Sequence, residues 1–313
     1  INTVLQSAFF KLANIIPEEQ ALALMKDAAK KSYSRKGDKI VQMNYDAIDA
    51  GAKQVVEVAV PESWKSCEDE GLFTPEIKGG REDVVSFVKN IQSKVNAQEG
   101  NTLPVSAFVD YVDGTTPSGT SAYERRGIAV DIPVWKEENC IQCNRCAYVC
   151  PHAVIRPVAL TDAEVAAAPE GFKAVDHKLS KGAYKYGLAV SPLDCMGCGV
   201  CVTICPTKSL TMKPLEEQLP EQKNFDYAVK NVSVKKEFAD NSNVIKSQFK
   251  TPLLEFSGSC AGCAETSYAR LITQLCGDHT YISNATGCSS IWGGPGATAP
   301  YTTDACGHGP AWN

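Results

Sequence analysis

The chain has 313 residues, 44% hydrophobic and 21% charged, with a formal net charge of −5. This is the composition of a globular protein long enough for two or three domains, and its acidic balance gives no electrostatic footprint for nucleic acid. No apolar run approaches the ~18 residues of a membrane span, and INTVLQSAFF lacks a basic leader with an A-x-A-like cleavage site, so a cytoplasmic chain, or one in a reducing organelle matrix, is expected.

Residues 2–14 (NTVLQSAFFKLAN) carry apolar side chains at helical spacing. Pro17 opens PEEQALALMKDAAKKSYSRKG, with acids in its first turn, bases in its last and Gly37 beyond, which predicts a second helix. DKIVQMN reads as a strand, YDAIDAGAKQV as a helix and VVEVAV as a short strand. Residues 1–60 are therefore expected to be the end of an α/β domain. Residues 61–131 read as a small connecting α+β domain: a linker-like start, the helix REDVVSFVKNIQSKV, a strand and turn in LPVSAFVDYVDG, and the loop GTTPSGTSAYERRG.

A cysteine-rich domain is expected over 132–213, with an insertion of about 159–191 between two repeats. Residues 214–250 are charged and weakly periodic, and suggest an extended connector lying on a neighbouring surface. From 251 to 313 α/β character resumes, with ETSYARLITQL as a helix and TYISNA as a strand entering a loop. The chain starts at Ile1 and stops after GHGPAWN with no visible finishing element, which suggests a piece of a longer polypeptide. The fold class expected is multidomain α/β and α+β.

Fourteen cysteines carry most of the chemistry. CIQCNRCAYVCPHAV begins at Cys140 and CMGCGVCVTICPTKS at Cys195, both spaced C-x2-C-x2-C-x3-C-P. Zinc sites more often use two C-x2-C pairs separated by a dozen or more residues. Three cysteines within seven residues, the trailing C-P and the duplication favour [4Fe–4S] clusters over zinc or structural thiols. In bacterial two-cluster ferredoxins the fourth cysteine of each run ligates the other cluster. By that rule Cys140, Cys143, Cys146 and Cys205 hold cluster one, and Cys195, Cys198, Cys201 and Cys150 hold cluster two. Pro151 and Pro206 turn the chain away after Cys150 and Cys205, while Gly197 and Gly199 let backbone N–H groups approach sulfide.

Cys260 and Cys263, in CAGC, form a lone pair that suits zinc, a redox dithiol, an electron-accepting cluster or no function at all. Cys288 stands in NATGCSSIWGGPGATAPYT, a loop rich in Gly, Ser and Thr of the kind that offers N–H groups to phosphate. Glu265 reads on its own as a first-turn helix acid, Asn2 as a helix cap and Asn44 as a strand-end turn residue. Cys67, Cys276 and Cys306 fit no ligand position, and His308, beside Cys306 in a glycine-rich loop, has no second partner.

Taken in order, INTVLQSAFFKLAN, LPVSAF…DGTTPSGTSAYERRGIAVDIPVW, the two cysteine runs, CAGCAET and NATGCSSIWGGPGATAPYT…GHGPAW resemble the pyruvate:ferredoxin (flavodoxin) oxidoreductases across almost the whole chain. The resemblance implies a ferredoxin-like two-cluster domain between an α/β domain of coenzyme A-binding type and the start of a thiamine-diphosphate-binding domain. It implies oxidation of pyruvate with coenzyme A to acetyl-CoA and CO2, electrons leaving through three [4Fe–4S] clusters to ferredoxin or flavodoxin, and a homodimer of the full-length chain. A third, proximal cluster would use Cys260, Cys263 and Cys288, with a fourth cysteine elsewhere. Glu265 and Cys288 would line the pocket for thiamine diphosphate and Mg2+, and Asn2 and Asn44 would face coenzyme A. No catalytic residue is expected within these residues, because the family's activating glutamate, substrate arginine and magnesium signature do not occur in them. Two rival readings are a polyferredoxin-type relay that is not an enzyme, and a related 2-oxoacid oxidoreductase with another substrate or a fused NADP-reducing domain.

Overall fold

Three helices, α1 (Asn2–Ala13), α2 (Glu18–Tyr33) and α3 (Asp38–Lys53), make up the first of two units, Ile1–Glu70 and Gly71–Asn313, into which the computed structural model divides. The structure describes residues 1–67, 77, 79–295 and 298–312. On α1, Ser7 is buried and its Oγ donates to the Ile48 carbonyl at 2.6 Å. A Cβ at Gly51 would lie 2.3 Å from the Val4 carbonyl oxygen, so only glycine lets α1 and α3 approach this closely. Met25, Ala29 and Ile48 form the small core, with Phe10, Leu22, Tyr33 and Tyr45 packed around it.

This unit corrects the expected α/β tail, since among its described residues there is no strand. DKIVQMN is the first half of α3. Its apolar residues alternate over seven positions, but Val41, Ile48 and Ala52 recur at helical spacing along the full sixteen-residue helix and are the ones buried. VVEVAV pairs with no strand among the described residues, and Val56, Val58 and Val60 are exposed.

In the second unit α4 (Glu82–Phe87), a π-helical turn (Val88–Gln92) and α5 (Ser93–Asn96) run on as one helical stretch that buries Val84, Phe87, Val88 and Ile91. The strand expected in LPVSAFVDYVDG is instead a 3-10 helix, Val105–Tyr111, so the described part of 61–130 is helical and irregular rather than α+β.

The chain then forms β1 (Asp131–Trp135), α6 (Arg145–Val149), β2 (Ile155–Leu160), α7 (Asp162–Ala166), β3 (Val175–Asp176), β4 (Lys185–Val190), α8 (Val200–Ile204) and β5 (Leu210–Pro214). β1 and β5 pair antiparallel, with Asp131 opposite Pro214 and Trp135 opposite Leu210. The insertion adds β3 and β4 to β2, giving a three-stranded sheet in the order β2-β4-β3. Ile132, Trp135, Ile155, Tyr186, Leu188 and Leu210 lie in the core beneath both sheets.

Beyond β5 come α9 (Leu215–Gln218), α10 (Gln222–Lys230), α11 (Val244–Ser247), α12 (Ala264–Cys276), β6 (Tyr281–Ile282), α13 (Cys288–Gly293) and β7 (Ala311–Trp312). The expected extended connector 214–250 thus holds three short helices. α10 turns Phe225 and Ala228 into the same core as the cysteine-rich segment. β6 and β7, two residues each, pair in parallel, and Leu254, Trp292 and Tyr301 form a local core. Among the described residues, no helix is long and apolar enough to cross a membrane.

Candidate iron–sulfur centre

The two cysteine repeats share one backbone path. Each loop passes through the left-handed region at the same places: Gln142 (φ 59) and Gly197 (φ 68), Asn144 (φ 54) and Gly199 (φ 72), Ala153 (φ 56) and Lys208 (φ 52). The first of these turns aims an N–H back at the leading thiol, Gln142 to Cys140 Sγ and Gly197 to Cys195 Sγ, both at 3.4 Å. The third cysteine of each run is the second residue of a five-residue helix, Cys146 in α6 and Cys201 in α8, and the fourth, Cys150 or Cys205, takes that helix's C-cap position. Gly197 is required by its surroundings, because a Cβ there would stand 3.1 Å from the Asp131 carbonyl oxygen. The equivalent Gln142 uses its side chain instead: Nε2 donates to the Asp176 carbonyl at 2.7 Å and Oε1 accepts from the Lys178 N–H at 2.8 Å. Asn144, buried, donates to the Ile245 carbonyl and accepts from the Tyr186 hydroxyl.

The thiols gather across the repeats. Burial pushes the Cys146 thiol well up, and Cys140, Cys143 and Cys205 beside it add to the effect. Cys195 is pushed up to about 12, first by burial, with Cys150 and Cys198 adding. Cys201 rises for the same reason, with Cys150 the first of its thiol neighbours. At Cys205 burial is outweighed by N–H donors from Ser209 and Thr207, which hold the thiol below its ordinary value.

Buried thiols crowded this way resist ionisation unless a cation shares the site. Among the described residues, no group of three or more His, Cys, Asp or Glu side chains could hold a single metal ion. A cubane asks for something different, since each thiolate binds its own corner iron and the four stand around a body rather than a point. The donor set, all sulfur with N–H groups aimed at it, fits such a group.

Residues 139–209 match the family model described as a 4Fe-4S dicluster domain, and residues 77–129 match a domain of unknown function. Over 313 residues the chain is 49% identical to a pyruvate-flavodoxin oxidoreductase of Enterobacter agglomerans, covering 99% of this chain and 26% of the relative. Over 316 residues it is 48% identical to the pyruvate:ferredoxin oxidoreductase of Moorella thermoacetica, covering 100% and 26%. A pyruvate dehydrogenase [NADP(+)] of Cryptosporidium parvum is 42% identical over 335 residues, covering 100% and 17%. The chain is homologous to a stretch of the pyruvate:ferredoxin (flavodoxin) oxidoreductases. It spans about a quarter or less of the length of these curated relatives.

Within this oxidoreductase stretch, the CAGC turn packs directly on the second cysteine repeat. Gly262 (φ +75) would place a Cβ 3.6 Å from both the Cys198 Cβ and the Val200 side chain. Cys263 caps α12, and α12 is fastened to the chain just ahead of Cys150: Ser267 Oγ donates to the Val149 carbonyl at 3.1 Å and Arg270 to the Tyr148 carbonyl at 2.5 Å. His152, buried directly after Pro151, joins the same seam through its Nδ1, 3.1 Å from the Ser257 carbonyl oxygen, and burial lowers its pKa.

Cys288 opens α13 and is exposed. Cys260 is exposed and Cys263 half-buried, on the turn that leads into α12. Glu265 is exposed in the first turn of α12.

Asn2 and Asn44 lie on different helices, α1 and α3. Asn2 is exposed at the start of α1, where Ile1 takes the cap position, so it is not the expected cap. Asn44 lies mid-helix in α3, corrects the strand-end reading, and donates to the Ile40 carbonyl at 2.8 Å. It lines a cleft of about 360 Å³ with Thr3, Phe10, Met25 and Tyr33, and Asn2 does not.

The remaining thiols satisfy local carbonyls, Cys67 that of Trp64 and Cys276 that of Ile272. Cys306 and His308 sit in a turn whose N–H groups both donate to Asp304 Oδ1. Gln142 and Asn144 were not picked out by the sequence reading. The signal available was their alignment, two residues after Cys140 and two before Cys146, with Gly197 and Gly199 of the other copy.

Proposed function

We propose that this stretch is the electron relay of an enzyme that oxidises pyruvate with coenzyme A to acetyl-CoA and CO2. One proton and two electrons leave per turnover, and the electrons pass singly to ferredoxin or flavodoxin. Cluster one would use Cys140, Cys143, Cys146 and Cys205; cluster two would use Cys195, Cys198, Cys201 and Cys150. A proximal cluster would use Cys260, Cys263 and Cys288, completed by a cysteine outside these residues. When bound, each cluster supplies one-electron transfer, which matches a two-electron organic oxidation to one-electron carriers. Thiamine diphosphate with Mg2+ would lie by Glu265 and the Cys288 loop, and coenzyme A by Asn2 and Asn44. The acting form would be a homodimer of the full-length chain, in the cytoplasm or a reducing organelle matrix.

The observation that carries the reading is the seat of the CAGC turn on the Cys198 loop. It supports a path from the Cys260 pair to the Cys195-type and then the Cys140-type cluster. The chain's own residues would exclude water from the thiols, donate N–H groups to sulfur and hold α12 against the second repeat.

The test uses the full-length protein, purified without air. About twelve irons per chain are expected, four per cubane, and pyruvate with coenzyme A should reduce all three clusters and an added ferredoxin or flavodoxin. About eight irons, and clusters that pyruvate does not reduce, would favour the stand-alone relay. The name of the Cryptosporidium relative keeps an NADP-reducing fusion as the second reading, and NADP reduction by the full-length protein would favour it.

A further inference from the structure

Arg270 is one of the largest fully buried side chains of the molecule. A buried guanidinium is costly unless it is paired and hydrogen-bonded. Arg125, Arg126 and Arg156 each meet a carboxylate, on Asp226, Glu124 and Glu255. Arg270 meets none among the described residues. It donates to the Gln248 Oε1 at 3.1 Å, the Gln274 Oε1 at 2.5 Å and the Tyr148 carbonyl at 2.5 Å, all uncharged, and its Nε has no partner.

The network around it is held firmly. Gln274 Nε2 donates to the Lys250 carbonyl and Gln248 Nε2 to Ser247 Oγ, so both amides present oxygen to the guanidinium. The bond from Arg270 to the Tyr148 carbonyl seats it two residues ahead of Cys150; burial, and after it Arg156, oppose its charge, while the Cys150 thiol and the Tyr148 hydroxyl favour it. A lone buried cation, fixed by neutral acceptors next to a buried thiol, lacks its counter-charge within the side chains described.

We propose that the missing counter-charge is the cluster held through Cys150, and that Arg270 sets that cluster's reduction potential. This rests on the ligand set given under Proposed function. A four-thiolate cubane is anionic and becomes more so on reduction. A fixed positive charge in a low-dielectric site therefore favours the reduced state and raises the potential. Arginine suits this role because it keeps its proton where a lysine can lose it.

The test reads the midpoint potential of each cluster in the full-length, cluster-loaded protein, by dye-mediated titration followed by EPR. Arg270→Gln removes the charge. Gln274→Glu keeps the arginine but neutralises it in place with a nearly isosteric carboxylate. Each is expected to make reduction of one cluster about tenfold less favourable, a fall of about 59 mV for one electron, with the other midpoints unmoved. Arg270→Lys is expected to change that equilibrium by about threefold or less.

Unmoved midpoints in Gln274→Glu overturn the proposal, as does an Arg270→Lys shift equal to that of Arg270→Gln at a pH low enough to keep the lysine charged, which would mark a purely structural clamp. If Arg270→Gln fails to assemble, the other two variants decide. Wild-type protein with no cubane signal would defeat the cluster reading itself. Normal signals with unmoved midpoints defeat only the role of Arg270.

Discussion

Gly262 lies against Cys198, its would-be Cβ 3.6 Å from the Cys198 Cβ. Nothing in the spacing of CAGC, more than fifty residues beyond the second repeat, requires that neighbour. If electrons enter at the Cys260 pair, the Cys198 loop is where they cross into the two-cluster segment. In the full-length protein Cys198→Ser is therefore expected to abolish reduction of ferredoxin or flavodoxin while slow pyruvate-dependent release of CO2 persists. Carrier reduction is read by absorbance and CO2 by isotope release. Carrier reduction at the normal rate would mean that the path does not run through this loop.

The paired left-handed turns allow a sharper test of the repeat. Gly197→Ala meets two penalties. The residue must hold φ +68, which costs an L side chain about 1–2 kcal/mol, and its Cβ would press on the Asp131 carbonyl oxygen and Ala129. Gly199 holds φ +72 with open space around it, and Asn144 occupies the equivalent turn in the first repeat. Gly197→Ala is expected to lower iron and sulfide content, and Gly199→Asn to leave both near wild type. Equal losses in the two variants would show that crowding at Gly197 is not what selects glycine there.

The cysteine runs were the legible part of this chain, because a cluster imposes its ligand spacing on the sequence whatever surrounds it. In the first unit the helices at 2–14 and after Pro17 were legible, but DKIVQMN was not, since its seven residues of alternating polarity carry less weight than the burial of Ile48 and Ala52 further along α3. The 214–250 segment misled for a related reason. Its charged surface hides scattered inward residues, Leu215, Phe225, Ala228 and Phe249, which share a core with the cysteine-rich segment. Arg270 could not be found from sequence at all, because what sets it apart is the absence of a nearby carboxylate in three dimensions.

Glu164 links the insertion to the segment after α10, and it should make stability depend on acid. Its carboxylate accepts from Lys235 Nζ, the Thr161 N–H and both the N–H and hydroxyl of Ser233. Although burial opposes it, these donors hold its pKa down to about 2. A carboxyl lowered in the folded state contributes stability that is complete above its unfolded value, about 4.3, and that is lost as pH falls from there towards about 2. Glu164→Gln is expected to destabilise the protein by about 1 kcal/mol at neutral pH. The gap from wild type should narrow as pH drops below about 4. Denaturant unfolding of both proteins at several pH values reads the difference, in which shared acid effects cancel. A gap that stays constant with pH would rule out the charge as its source.

In the first unit, Gly51 and Ser7 make the same crossing from opposite sides. Gly51 leaves room for the Val4 carbonyl, and Ser7 fills its own space with a bond to the Ile48 carbonyl. Ser7→Ala removes one neutral hydrogen bond and is expected to cost about 1 kcal/mol. Gly51→Ala would gain helix propensity of up to about 1 kcal/mol on an open helix. Here its Cβ, 2.3 Å from a backbone oxygen, would force α1 and α3 apart. Losses of about 1–3 kcal/mol are expected from such overpacking, so the alanine should destabilise where propensity alone predicts the reverse. The sign of the change in thermal midpoint decides it: a stabilised Gly51→Ala protein would show that α1 does not rest on α3 at this point.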